Sequence, residues 1–173
     1  MRQNNTVEAL VTNIITIISN DNNEARDFVV LASSTKLLRN IDTLYRQRTN
    51  EQTEITFISN EALERLKQIH NVTDEKTANW KFNRDFEALE RTRKQLFTTD
   101  KRCLKISTIQ SFKGWESPSV IVILESDFAL HNTTFRPMSP QTIYTAITRA
   151  RENMYIINIG NDTYHNFFYN QAL

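Results

Sequence analysis

Val120-Ile121-Val122-Ile123-Leu124 is a run of five apolar residues with nothing polar between them. A strand with one wet face alternates apolar and polar residues. An unbroken run instead marks a strand covered on both faces, as in a parallel sheet sheathed by helices. Phe28-Val29-Val30-Leu31 and Tyr155-Ile156-Ile157 repeat the signal. Ile55-Thr56-Phe57-Ile58 and Leu104-Lys105-Ile106-Ser107-Thr108-Ile109 are partly alternating, which predicts strands nearer an edge or with one face less covered.

Helical patterns lie between these runs. Thr6 to Ser19 carries Val7, Leu10, Val11, Ile14, Ile15 and Ile18 at three- and four-residue spacing, with Thr6 as the expected N-cap. Thr35 to Arg46 places Leu37, Leu38, Ile41, Leu44 and Tyr45 on one stripe, and Asn60 to Ile69 does the same with Leu63, Leu66 and Ile69 behind an Asn60 cap. Ser139-Pro140 sets an N-cap and an N1 proline in the favoured order, opening a helix that runs to Arg151. Tyr164, Phe167, Phe168 and Leu173 suggest a closing helix that docks on the rest. Helices alternating with buried strands predict an α/β fold: a mostly parallel sheet with helices on both faces. A chain of 173 residues makes this one domain, 1–173. Residues 77 to 97 read as a charged helix or helix pair with Phe82, Phe86, Leu89 and Phe97 as a thin apolar stripe, 70–100 as an insertion or lid on the sheet, and Leu130 to Met138 as a surface loop.

Composition excludes several function classes. Cys103 is the single cysteine, so no internal disulfide and no cysteine zinc cluster can form, and a reducing cytoplasm fits. His70, His131 and His165 lack metal-ligand spacing, so no metal site is expected. No apolar run approaches the ~20 residues of a membrane span, and the first residues do not spell a signal peptide, so no membrane partner is expected. Net charge is +1, but Lys81 to Lys105 holds eight basic residues against Asp85, Glu87, Glu90 and Asp100. That local excess can attract a phosphate backbone; its spacing equally suits a solvated helix face with paired charges. Gly114 and Gly160 are the only glycines. A Walker or dinucleotide loop needs at least two within a few residues, so this chain cannot cradle phosphates in a loop of its own.

Ligands of open parallel sheets are met at the carboxyl ends of the strands. Two chemically dense segments are expected there. The first is Gln110-Ser111-Phe112-Lys113-Gly114-Trp115-Glu116, where a glycine in so glycine-poor a chain implies positive φ or close approach. The second is the helix from Pro140, where Arg149 falls about 200° around from Ile147 and off the core face. A guanidinium projecting there can stabilise phosphoryl-transfer charge. Taken alone, Arg149 would pair with Glu152 or Glu116.

Together the two segments resemble a known pair. Ile106-Ser-Thr-Ile-Gln-Ser-Phe-Lys-Gly-Trp-Glu116, leading into a strand, resembles motif V of the UvrD/Rep-type superfamily 1 DNA helicases. Ile143-Tyr-Thr-Ala-Ile-Thr-Arg-Ala-Arg151, also before a strand, resembles motif VI of the same family. Arg2-Gln-Asn-Asn-Thr-Val-Glu-Ala-Leu-Val-Thr-Asn-Ile-Ile15 is similar to the opening of motif IV, with Met1 in the usual aromatic position. Gln110 stands where the family often has histidine, and the large insertion often found before motif V is reduced or missing.

The resemblance implies the second RecA-like domain of such a helicase, a P-loop NTPase-like fold without the P-loop. It implies ATP with Mg2+ as cofactor, bound mainly by a first RecA-like domain of the same parent chain, and single-stranded or partly duplex DNA as partner. Arg149 is then an arginine finger on the γ-phosphate, with Arg2 on the same phosphate. Glu116, beside Gly114, accepts a hydrogen bond from the ribose, and Thr108, Gln110 and Lys113 lie at the strand. Ser33, Ser34 and Thr35, after the first strand, open a helix whose N-terminus can face a phosphate. The alternative is a helicase-like adaptor that binds nucleic acid or protein without hydrolysing ATP.

Overall fold

The computed structural model describes residues 2–73, 79–125 and 138–171, without the side chains of residues 2–6 and 169–171. Leu130 to Pro137, Met1 and Leu173 lie outside the described residues. The strands are β1 (Phe28–Ala32), β2 (Thr53–Ile55), β3 (Leu104–Thr108), β4 (Ser117–Glu125) and β5 (Ala150–Ile159). They form one sheet in the order β2-β3-β1-β4-β5, and every pairing is parallel. Helices α1 (Arg2–Asn20), α2 (Thr35–Thr49), α3 (Asn60–His70), α4 (Trp80–Leu96), α5 (Pro140–Ile147) and α6 (Asp162–Gln171) complete the chain. The fold is α/β of RecA-like kind.

Both faces of the sheet are covered, because β1 and β4 have no polar face to leave wet. On one face Phe28, Val30, Ile121 and Ile123 pack with Leu10, Val11 and Ile14 of α1 and Leu38, Ile41 and Tyr45 of α2. On the other, Val29, Leu31, Val120 and Val122 pack with Phe112, Ile143 and Ala146, with Tyr164 and Phe168 of α6 at the margin. Phe167 stays 58% exposed, so α6 docks by only part of its aromatic set. A third cluster, Ile58, Leu63, Leu66, Val72 and Phe82, joins α3 to α4. Helix α4 is therefore packed on α3. Its charges pair along the helix, Arg91 with Glu87 at 3.6 Å and Lys94 with Glu90 at 3.9 Å.

The structure corrects several local expectations. β3 is an inner strand between β2 and β1, with Lys105 and Ser107 buried. The alternation came from buried polar groups that find partners: Lys105 Nζ donates to the Arg26 carbonyl, and the Ser107 hydroxyl lies 2.9 Å from that of Thr56. α1 begins at Arg2, so Thr6 lies inside it. Ser59, not Asn60, caps α3, its hydroxyl accepting from the Ala62 N–H at 3.3 Å. Helices α2 and α3 end on Asn50 and Asn71 in the left-handed region, which lets them close without glycine.

α5 stops at Ile147 rather than Arg151. Ser139 caps it as expected, its hydroxyl accepting from the Thr142 N–H at 3.2 Å. The chain then leaves the helix at Thr148, and Ala150 is already paired with Ser117 of β4. Among the described residues no helix is long and apolar enough to cross a membrane.

Candidate nucleotide and nucleic-acid sites

The segment Ile109 to Glu116 connects two parallel strands, so it must return from the carboxyl end of one to the amino end of the next. It does so across a sheet face, with Ile109 and Phe112 buried beneath it. Its turn is tight: the Phe112 N–H donates to the Thr108 carbonyl at 3.0 Å, and the Trp115 N–H to that of Phe112 at 3.1 Å. Thr108 pairs with Ala32, the last residue of β1, whereas Ser117 precedes the level of Phe28 by two residues. At ~3.3 Å per residue the segment joins rims roughly 20 Å apart. Thr108 and Gln110 stand at the carboxyl-terminal rim, and Glu116 stands at the amino-terminal rim. The expectation that both dense segments lie at carboxyl ends is corrected for Glu116 and Arg149.

Arg149 reaches that same amino-terminal rim from the other side. It sits in the turn between α5 and β5, not on a helix face, and its carbonyl accepts from the Ser117 N–H at 3.0 Å. Its guanidinium donates to the Thr145 carbonyl at 3.1 Å, the Thr148 hydroxyl at 3.0 Å and the Trp115 carbonyl at 3.3 Å. The contact to Trp115 fixes the arginine one residue from Glu116. All three acceptors are neutral, and among the described residues no carboxylate pairs with Arg149, neither Glu152 nor Glu116. A guanidinium carries five N–H donors, so part of the fork and the whole positive charge stay available to an anion. Glu116 is exposed beside it.

Backbone chemistry shapes this rim. Pro118 cannot donate to a neighbouring strand, and the β4–β5 register shifts between Ser117 and Ser119 around it. Gly114 has φ +93, and a Cβ there would meet nothing within 4 Å. Of the two reasons for a glycine, the structure supports positive φ. Lys113, Gly114, Trp115 and Glu116 are all exposed, with the Trp115 ring edge-on to Phe97 at 5.8 Å.

The carboxyl-terminal rim holds a different set. Thr108 accepts from the Ser111 N–H at 3.1 Å, which forms the start of the turn and leaves Gln110 exposed. The Ile109 N–H donates to the Ala32 carbonyl at 3.1 Å, which seats the Ser33–Thr35 loop beside Thr108. Ser34 caps α2, its hydroxyl accepting from the Leu37 N–H at 3.2 Å. The N–H groups of Ser33 and Ser34 both donate to one oxygen of Glu125, at 2.7 and 2.8 Å. Burial pushes the Glu125 carboxyl above its ordinary range, against the pull of those two donors. Sequence reasoning missed this residue, although a carboxylate closing the run Val120–Leu124 was a readable signal.

Arg2 opens α1, and its side chain lies outside the described residues. No group of three His, Cys, Asp or Glu side chains gathers among the described residues. The fold is that of a superfamily 1 helicase-type domain. The profile of the viral superfamily 1 RNA helicase core domain matches residues 16–158, and the chain belongs to that family. No curated protein matches it.

Proposed function

We propose that this chain is the second, C-terminal RecA-like domain of an ATP-dependent superfamily 1 helicase and supplies the arginine finger and part of the strand grip. The observation that carries the reading is the meeting of Arg149 and Glu116 on one rim, through the Trp115 carbonyl and the Ser117–Arg149 backbone bond. That pair fits two ends of a nucleotide, an anionic terminal phosphate and a ribose hydroxyl. It does not fit a whole one, since two glycines in the entire chain leave the phosphates without a cradle. A first RecA-like domain of the parent chain provides the phosphate loop and the Mg2+-binding acid. When bound between the two domains, ATP supplies the phosphoryl bond whose cleavage drives stepping.

Arg149 gains a charge-assisted hydrogen bond only when the γ-phosphate faces it across a closed cleft. Its tethers to Thr145, Thr148 and Trp115 hold the planar fork in place, so little side-chain entropy is lost on contact. Glu116 accepts from the ribose. Thr108, Gln110 and Lys113 hold the single strand. Because Thr108 and Glu116 are the two ends of one short, buried-anchored segment, loss of the phosphate contact is felt at the grip. Arg2, at the start of α1, is assigned to the same phosphate as Arg149.

In the parent protein, Arg149→Ala is expected to abolish strand-stimulated ATPase while the variant stays folded by circular dichroism. Turnover near the wild-type rate rejects the finger. The spelling of Ile106–Glu116 and Ile143–Arg151 supports DNA as the strand, whereas the family's description is of RNA helicases. Binding is therefore measured with matched single strands of both. Tighter binding to RNA overturns the DNA part and leaves the motor reading intact.

A further inference from the structure

The connection after β1 runs toward β2 and β3, and the connection after β4 runs the other way toward β5. The carboxyl ends of β1 and β4 therefore flank the switch point of this sheet, the place where open α/β folds take anionic ligands. The donors for such a ligand are present. Ser33 and Ser34 precede α2, a helix of 15 residues whose N-terminal amides and dipole favour negative charge. They are already taken by Glu125 at 2.7 and 2.8 Å.

Glu125 is an unusual partner. It is only 2% exposed, and its second carboxylate oxygen, also buried, has no hydrogen-bond partner among the described residues. Among the described residues that carboxylate serves no ion pair, and its burial costs desolvation free energy that the apolar run before it would not predict. Its backbone is fixed as well, since the Asn161 side chain donates to the Glu125 carbonyl at 2.9 Å and Asn161 is fully buried. One oxygen caps the amides, and the other is buried with no partner among the described residues.

We propose that Glu125 is a resident anion: it occupies the phosphate position at the N-terminus of α2 and closes the switch-point crevice of this domain to free nucleotide and pyrophosphate. Like charge 3 Å or so from the vacated position would repel a phosphate, so the single strand is gripped by side chains of the Ser33–Thr35 loop and not by its amides. The domain thus keeps the architecture of a phosphate site while directing nucleotide to the opposite rim. This inference is independent of the finger assignment, because it concerns the other end of the sheet.

The test uses the 173-residue chain and inorganic pyrophosphate, followed by the backbone amide resonances of Ser33 and Ser34. In the wild type these are expected to stay unmoved to tens of millimolar. Glu125→Ala should give saturable shifts of both amides in the low millimolar range, and Glu125→Gln, a neutral and weaker acceptor, should bind at least threefold more weakly than Ala. Equal behaviour of all three overturns the proposal, as does saturable binding to the wild type at those amides. If the Ala variant fails to fold, the Gln and wild-type pair carries the test: tighter binding by Gln supports a resident anion, and equality overturns it. Arg149→Ala in the same titration should change nothing, which separates this result from the fate of the finger.

Discussion

The two rims of the sheet treat charge in opposite ways. At the amino-terminal rim Arg149 is a half-buried cation bonded to three neutral acceptors, with no carboxylate paired to it among the described residues. At the carboxyl-terminal rim the groups that would attract an anion are satisfied internally, by Glu125 on the amides of Ser33 and Ser34. An electrostatic site is defined by what has been left uncompensated, not by the presence of charge or dipoles. The same parallel sheet offers a helix N-terminus at one rim and a guanidinium without a counter-charge at the other, and only the second has its charge unanswered among the described residues. Ile109 to Glu116 links them, with Phe112 fully buried beneath the crossing.

The sharpest way to break this contrast is Arg149→Ala in the parent protein. An arginine finger is worth ~10³–10⁵ in rate, so ATPase should fall by that order. Single-strand affinity, measured by fluorescence anisotropy without nucleotide, should change less than twofold. A parallel collapse of strand binding would mean that the rims are not separate sites. Next comes Phe112→Ala, which removes a fully buried ring set edge-on to Phe97, with centroids 6.1 Å apart. Loss of such a ring costs about 3–5 kcal/mol, readable as a lower urea midpoint. If the protein folds, weaker coupling of ATPase to strand binding is expected.

Smaller effects sharpen the comparison. Lys113→Ala should weaken strand binding uniformly across sequences and reduce the slope of log K against log salt by about 1. An unchanged slope would take Lys113 off the strand. The smallest effect concerns pH. Burial raises the Glu125 carboxyl in the folded state, so the folded chain holds that proton more tightly than the unfolded chain. Its contribution to stability is greatest below the unfolded value and falls as pH rises through the folded one. Melting temperatures at pH 5 and pH 7 should therefore show the wild type gaining on Glu125→Gln at the lower pH. Asp42, also raised chiefly by burial, shifts both proteins alike and cancels in that difference.

The layered parallel fold was legible because the runs Phe28–Leu31 and Val120–Leu124 carry no polar residue to face water, and hydropathy along the chain records that directly. The candidate residues Glu116 and Arg149 were legible through motif spelling, which preserves chemistry without geometry. β3 was misplaced toward an edge because Lys105 and Ser107 look solvent-facing until their partners from Arg26 and Thr56 are known. The helix after Pro140 was drawn too long because Arg149 and Arg151 continue a helical composition, while strand pairing from Ala150 outcompetes it.

The amino-acid sequence by itself determined that the sheet is buried on both sides, that two distant glycines cannot form a glycine-rich loop, and which residues carry charge near the motifs. Only the tertiary structure decided which end of the sheet each residue reaches, and which charges are already answered. A crossing segment conveys its residues from one rim to the other, and its direction of travel is set by the parallel register. Whether a carboxylate meets two amides or empty solvent depends on strand neighbours about ninety residues apart in the chain.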